Sequence, residues 1–338
     1  MSPEKLLPIA LEAVATACGI TRTAQQARDA FSSLTKDDRS PVTVADFAAQ
    51  AVVSLILQER LPRPADHVLV GEEDATALKS PEQALIREGI VQLVRRWRPT
   101  IEESEVIDAI DAGNGTPSSS GFWTLDPIDG TKGFLRGQQF AIALAWIQGG
   151  QVRLGVMGCP GLPIDQDAAL NKPDPEGVIY AACEAGGSWE YPSCDPLATP
   201  MRVAARSPGS NQRIRFCGSV EKAHGDRSQA GQLIDTLGGG EAIAVDSQCK
   251  YGLVARGQAD VYLRMPRTRA YVEKIWDHAA GSIIATEAGA RVSDIHGKPL
   301  DFSHGSGLPE NSGIVAAAPE LHTKLIDGIR ELQLGPKT

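Results

Sequence analysis

The chain has 338 residues, with 33 Lys+Arg against 42 Asp+Glu, a formal net charge of −9. That balance excludes a general grip on nucleic acid, because counterion release needs a clustered cationic face; a small phosphorylated ligand stays open, since a local pocket can reverse the global sign. At roughly 150 residues per domain the length suggests two domains with room for a core each, and the six cysteines show neither a Cys-x-x-Cys pair nor zinc-site spacing to histidine, as free thiols in a reducing cytoplasm would.

In chain order, the apolar run Leu6 to Cys18 is broken by Glu12 and preceded only by Lys5. It predicts an amphipathic helix over 3–18 and not a signal peptide, and no stretch approaches the ~20 apolar residues that span a bilayer, so no membrane partner is expected. A polar loop, a helix over 45–60 and a short strand HVLV running into GEED follow. A third helix is predicted over 81–98, with apolar Ala84, Leu85, Ile90, Val91 and Val94. The region 102–120 reads as an exposed acidic, Ser/Gly-rich loop. FWTL is strand-like and leads into DPIDGT, and AIALAWI with QVRLGVMG predicts a β-hairpin turning at Gly149-Gly150.

Residues 187–212 are rich in Pro and Gly with no sustained period, and the domain boundary is placed near their end: an N-terminal α+β domain over 1–207 and a C-terminal α/β domain over 208–338. Beyond it IRFCGSV, a helix near 226–237, EAIAV, a Lys250–Ala255 helix, ADVYLRM and a helix from Asp277 alternate as α and β units. Nothing in the sequence calls for more than a monomer or weak oligomer.

The most informative string is Asp126-Pro127-Ile128-Asp129-Gly130-Thr131. Pro127 fixes its φ and Gly130 permits unusual geometry, so a rigid turn can aim two carboxylates and the Ile128 carbonyl in one direction, although Asp, Pro and Gly are also ordinary turn residues. Glu72 and Glu73 end another strand, followed by Asp74, and taken alone are a solvated turn. Asp277 reads alone as a helix N-cap, Asp46 likewise, and Thr131 as a turn former. Together the acidic groups gain meaning, since two carboxylates ~4 Å apart repel by about 4 kcal/mol at an effective dielectric near 20. A convergent cluster must take up protons or cations, and oxygen donors without a His/Cys set favour Mg²⁺ over Zn²⁺.

In their order and spacing, GEE, DPIDGT and WDHAAG resemble the Mg²⁺-dependent, lithium-sensitive phosphatases of the inositol monophosphatase superfamily. Within it, SPVTVADFAAQ, WTLDPIDGTKGFLRGQQFAIALA (123–145), DSQCKYGLVARGQADVYLRMP and EKIWDHAAG (246–281) resemble the 3'(2'),5'-bisphosphate nucleotidases, a likeness that spans about residues 5–320. The resemblance implies an αβαβα layered sandwich. It implies two to three Mg²⁺ ions held by Glu72, Asp126, the Ile128 carbonyl, Asp129 and Asp277, with Asp46 and Thr131 activating the attacking water. Gly130 and Thr131 N–H groups would meet the scissile phosphate, and Asp277 would also border the substrate.

By the same resemblance Ser247, Lys250 and Arg264 would hold a 5'-phosphate and His224 would stack near adenine, while His278 would either orient Asp277 or cap a helix. The implied activity is metal-assisted hydrolysis of the 3'-phosphate of 3'-phosphoadenosine 5'-phosphate, and of its sulfated form, a by-product route in sulfur metabolism. No phosphoenzyme is needed: in the aspartyl-phosphate phosphatases the two Asp stand two apart, whereas Asp126 and Asp129 stand three apart. Two alternatives remain open at this stage. One is an inositol mono- or polyphosphate phosphatase; the other is a non-catalytic nucleotide sensor, against which the intact Asp46–Thr131 pair counts.

Overall fold

Pro3 occupies the first turn of α1 (Pro3–Gln26), where its missing N–H costs nothing. The computed structural model describes residues 2–27, 40–209, 212–218, 229–266, 268 and 270–336. The helix runs eight residues beyond the expected Cys18, because Ile20, Thr21 and Ala24 continue the buried face; residues 28–39 of the expected polar loop lie outside the described residues. Among these residues α1 is the one helix long and apolar enough to cross a membrane, yet half of its most apolar window is buried within the fold. It packs against α2 (Ser40–Arg60) and the adjoining sheet, as a core helix does.

That sheet has seven strands in sequential order: β1 (Leu69–Gly71), β2 (Phe122–Asp129), β3 (Ala141–Gln148), β4 (Gln151–Cys159), β5 (Val178–Cys183), β6 (Gly187–Pro192) and β7 (Met201–Val203). β1 pairs parallel to β2 and every later pair is antiparallel. β3 and β4 form the expected hairpin, turning at Gly149-Gly150. Strands β5 to β7 go beyond the sequence expectation: β5 is VIYAAC, and β6 and β7 fall within the Pro/Gly-rich stretch that has no sustained period. β5 is buried along its whole length, so it has no alternation to read.

The 102–120 region is a correction. Its first half is a helix, α4 (Glu103–Asp111), preceded by α3 (Ala84–Arg95), and both pack on α2. The Glu105 carboxylate accepts the Glu102 N–H at 3.0 Å, one half of a capping box, and Val106, Ala109 and Ile110 are buried. Acidic residues in a first turn favour a helix, although in sequence they read equally as a solvated loop. In α3 the predicted apolar face holds at Ile90, Val91 and Val94, whereas Ala84 and Leu85 at its start are exposed.

After β8 (Ile214–Gly218) come α6 (Gln229–Thr236), β9 (Gly240–Ala244), α7 (Cys249–Ala255), β10 (Val261–Arg264), α8 (Ala279–Glu287), β11 (Arg291–Ser293), β12 (Ile314–Ala317) and α9 (Pro319–Glu331). The second sheet has the order β11-β12-β10-β8-β9. α8 packs on β3 to β6 of the first sheet, α7 on β10 and β12 of the second, and α6 and α9 cover the outside of the second. The layers are therefore helices, sheet, helices, sheet, helices: the expected αβαβα sandwich. One apolar core fills the space between α1, α2 and the first sheet, and another lies between the sheets.

Candidate active site

Asp126-Pro127-Ile128-Asp129 is not a turn after a strand but the end of β2 itself. Opposite β3, Asp126 pairs with Ala143 and Asp129 with Ala141, so three steps on β2 face two on β3. The extra residue makes a bulge, where Pro127 owes no ladder hydrogen bond. The Asp126 carboxylate accepts the Ile128 N–H at 3.1 Å, which stiffens the bulge from inside. Gly130 follows with φ +92, and a Cβ there would stand 2.8 Å from the Ser247 Cβ. Only glycine makes this corner at that distance. Thr131 then opens the short helix α5 (Thr131–Leu135) and is exposed.

Four segments bring carboxylates to this corner. Asp126 is 2 % exposed, and burial lifts its carboxyl well above the usual range, with Glu72, Asp129, Asp277 and Asp46 each adding to the rise. Burial and then Asp129 push Asp277 up to about 8. Burial followed by Glu73 and Glu72 raises Asp46 well above the usual carboxylate range, and burial with Glu72 brings Glu73 to about 7. Glu72 is exposed as a whole residue, but desolvation still comes first among the causes raising its carboxyl, with Asp129 next. Hard oxygen donors that destabilise one another's charge this way suit a divalent cation such as Mg²⁺.

Neither N-cap expectation holds. α2 begins at Ser40, so Asp46 lies inside the helix and faces Glu72 and Glu73, while the N-cap of α8 is His278, one residue past Asp277. α2 and α5 pack together, which brings the Asp46 and Thr131 elements side by side.

On the far wall, Ser247 has a φ of +67, rare for a residue with a side chain. Its hydroxyl accepts the Cys249 N–H at 3.2 Å, and the Gln248 N–H donates to Asp129 Oδ2 at 2.7 Å. Lys250 lies on α7 with its ammonium 5.4 Å from the Tyr262 ring centre; burial lowers its pKa and Asp129 opposes that. Arg264 ends β10 and lies in the field of Asp277. His224 lies outside the described residues.

Several contributing residues went unread. Gln50 is fully buried on α2; its amide nitrogen donates to the Glu73 carbonyl at 2.7 Å and to the Ile110 carbonyl at 3.0 Å, and its oxygen accepts the Glu73 N–H. It clamps the loop that carries Glu72. The approach is so close that a Cβ on Gly71 would lie 2.3 Å from the Gln50 Oε1 and one on Gly113 2.3 Å from its Nε2. Gly71→Ala is expected to cost about 1–3 kcal/mol of stability by overpacking, read as a lower urea midpoint; an unchanged midpoint would show that Gln50 has room to move. Gln248 bonds the Trp276 carbonyl and the Gly281 N–H as well, so one glutamine joins β2, α7 and α8. The sequence signal for Gln50 is its place in a polar row one helical turn apart, Asp46, Gln50 and Ser54, all three buried on α2.

Glu273, Asp277 and His278 also place one ligand atom each within 4.8 Å of one another. Glu273 and His278 are committed to other partners, described below, which leaves Asp277 as the member facing Asp129 and Glu72.

Two sheets packed through helices, with an acidic corner at the strand ends between them, define a layered α/β fold of phosphatase type. The model of the inositol monophosphatase family matches residues 3–334; the chain belongs to that family. It is similar to a protein from Schizosaccharomyces pombe named 3'(2'),5'-bisphosphate nucleotidase, 38 % identical over 314 residues covering 89 % of this chain and 86 % of the relative. It is likewise similar to a protein of the same name from Oryza sativa, 39 % identical over 308 residues, 88 % of this chain and 85 % of that one. Among solved structures, CysQ from Bacteroides thetaiotaomicron, a bacterial member of the family, aligns with a TM-score of 0.60 at 22 % identity over 92 % of this chain and 96 % of the other, which shows the shared fold.

Proposed function

We propose that the protein hydrolyses the 3'-phosphate of 3'-phosphoadenosine 5'-phosphate to AMP and phosphate, and acts on the sulfated form of that nucleotide. The observation that carries this is the meeting of Asp46, Glu72, Asp126, Asp129 and Asp277 at one corner, faced by the cationic pair Lys250 and Arg264. The names of the fungal and plant relatives support the same substrate class.

In this reading Glu72, Asp126, the Ile128 carbonyl, Asp129 and Asp277 hold two to three Mg²⁺ ions, the number expected of the family. When bound, the ions supply Lewis-acid polarisation of the phosphate and of water near it. Thr131 orients the attacking water by its hydroxyl and Asp46, ionised once the cluster's charge is offset, takes the proton. The Gly130 and Thr131 N–H groups donate to the non-bridging phosphate oxygens. Ser247, Lys250 and Arg264 hold the 5'-phosphate, Arg264 by its fork and Lys250 as a point charge, and His224 stacks near the base. Asp277 borders both regions. The metal ligands fall on both proposed domains, 1–207 and 208–338; all strands of the first sheet end by Val203 and those of the second begin at Ile214. A reducing, cytoplasmic setting suits six cysteines that are all unpaired and buried.

Phosphate release from 3'-phosphoadenosine 5'-phosphate, inositol 1-phosphate and inositol 1,4-bisphosphate, with and without Mg²⁺ and Li⁺, tests the proposal. Release from the nucleotide should dominate and require Mg²⁺; preference for either inositol ester, or tight binding without release, would refute it. Lys250→Ala should weaken nucleotide use by about 10- to 100-fold, as one charge-assisted contact is worth roughly 1.5–3 kcal/mol, and spare inositol phosphate use. Equal losses would remove Lys250 from substrate choice.

A further inference from the structure

Arg264 does not face the cleft unsupported. The Glu273 carboxylate receives its Nε at 2.9 Å on Oε1 and its Nη2 at 2.8 Å on Oε2, a bidentate pair that fixes the plane of the guanidinium. The same Oε2 lies 3.1 Å from His278 Nε2, and His278 Nδ1 lies 3.1 Å from the Tyr251 hydroxyl. Tyr251 and His278 are fully buried and Glu273 is 2 % exposed, so water does not compete for the bonds among these three, while the Arg264 side chain keeps 37 % of its surface open. A carboxylate only accepts, so Nε2 carries the proton and Nδ1 is left to accept from the Tyr251 O–H. A continuous chain results: Tyr251 to His278 to Glu273, with Arg264 donating to the same carboxylate from the other side.

The two ends of this chain sit beside residues of the proposed site. Tyr251 follows Lys250 on α7, and His278 follows Asp277 at the start of α8. Tyr251 further packs edge-on against Tyr262, ring centres 4.8 Å apart, and the other face of chemistry at Tyr262 is the Lys250 ammonium. Three elements that carry Lys250, Arg264 and Asp277 are thus held in register by hydrogen bonds that use none of those three side chains except Arg264.

We propose that Glu273, backed by His278 and Tyr251, is a positioning residue that aims Arg264 at the second phosphate group and thereby makes the enzyme selective for substrates carrying two. The inference rests on the assignment of Arg264 and Lys250 to the 5'-phosphate. Glu273 touches neither substrate nor cation: its oxygens are taken up by Arg264 and His278. Its contribution is to remove the rotational freedom of the guanidinium before the ligand arrives, which a surface arginine gives up only on binding.

The test is Glu273→Gln, which keeps shape and loses the charge, measured on 3'-phosphoadenosine 5'-phosphate and on 3'-AMP, which lacks the second phosphate. KM for the bisphosphate should rise about 10- to 100-fold, the usual scale for losing a supporting partner, with kcat changed less than ~3-fold and KM for 3'-AMP changed less than ~2-fold. Tyr251→Phe removes only the far hydroxyl; it should move the ratio of the two KM values in the same direction by less, and carries the test if Glu273→Gln fails to fold. Glu273→Asp should restore part of the ratio. Equal losses on both substrates, or an unchanged ratio, would overturn the positioning role. Equilibrium binding of the two nucleotides reads the same ratio without turnover, so failure of the hydrolase reading, seen as a wild type that binds without releasing phosphate, is distinct from failure of this one.

Discussion

Asp126→Asn is expected to lower kcat by at least ~10³-fold at saturating substrate and ordinary Mg²⁺, while the protein remains folded. The carboxylate is 2 % exposed and surrounded by Glu72, Asp129, Asp277 and Asp46, so it has no role that water could take over. If Asp126 holds Mg²⁺ as proposed, losing its carboxylate removes several kcal/mol of charge stabilisation, and each ~1.4 kcal/mol is tenfold in rate. The fold is spared because the amide oxygen of Asn can still accept the Ile128 N–H that Asp126 accepts at 3.1 Å. Without divalent ions the variant should unfold at the same temperature as the wild type or higher, since one member of a mutually repelling group is gone. Kinetics at graded Mg²⁺ with a thermal melt of the metal-free protein reads both effects. Activity within tenfold of wild type would remove Asp126 from the metal ligands.

The second large effect is on stability against pH. Asp126 and Asp46 are raised well above the ordinary carboxyl range by burial, Glu73 reaches about 7 and Asp277 about 8. An acid whose folded pKa lies above its unfolded value binds its proton more tightly when folded. Its contribution is therefore fully present below the unfolded pKa near 4 and is lost as pH rises through the folded value. Metal-free protein should lose stability between about pH 4 and pH 8, opposite to the usual trend for carboxylates. At roughly 2–4 °C per kcal/mol for a domain of this size, a fall of at least ~5 °C in Tm is expected across the window. Saturating Mg²⁺ should recover most of that loss, and recover more at pH 8 than at pH 5, because cation and proton compete for the same oxygens. A metal-free Tm that climbs steadily to pH 8, or a Mg²⁺ effect that does not depend on pH, would contradict the clustering of the charges.

The parts of the site legible in sequence were those made of unusual residue combinations at element ends. GEED, DPIDGT and the Asp277 helix each stood out, and the structure brings their carboxylates into one electrostatic neighbourhood. What sequence misjudged was the local geometry beneath them. DPID looked like a turn because Asp, Pro and Gly favour turns, but its backbone stays in β2 by means of a bulge whose register depends on Ala141 and Ala143 of β3. Asp46 looked like an N-cap because the apolar period becomes regular only after it, whereas α2 starts at Ser40. α4 was hidden by its charge, and β5 by burial on both faces, which removes the alternation that marks a strand. What Gln50, Gln248 and Glu273 hold was not legible: each works through partners 23 or more, 28 or more, and 9 or fewer residues away, and only folding reveals which of them meet.

Crystals soaked in Mn²⁺, with anomalous scattering recorded at the manganese edge, give the most direct check. Two or more peaks should appear at the corner bounded by Glu72, Asp126, Asp129, Asp277 and the Ile128 carbonyl, each within ~2.5 Å of carboxylate oxygen, and they should vanish in Asp126→Asn. A fully substituted crystal with no peak there, or with manganese seated only on Glu273 and His278, would contradict the account.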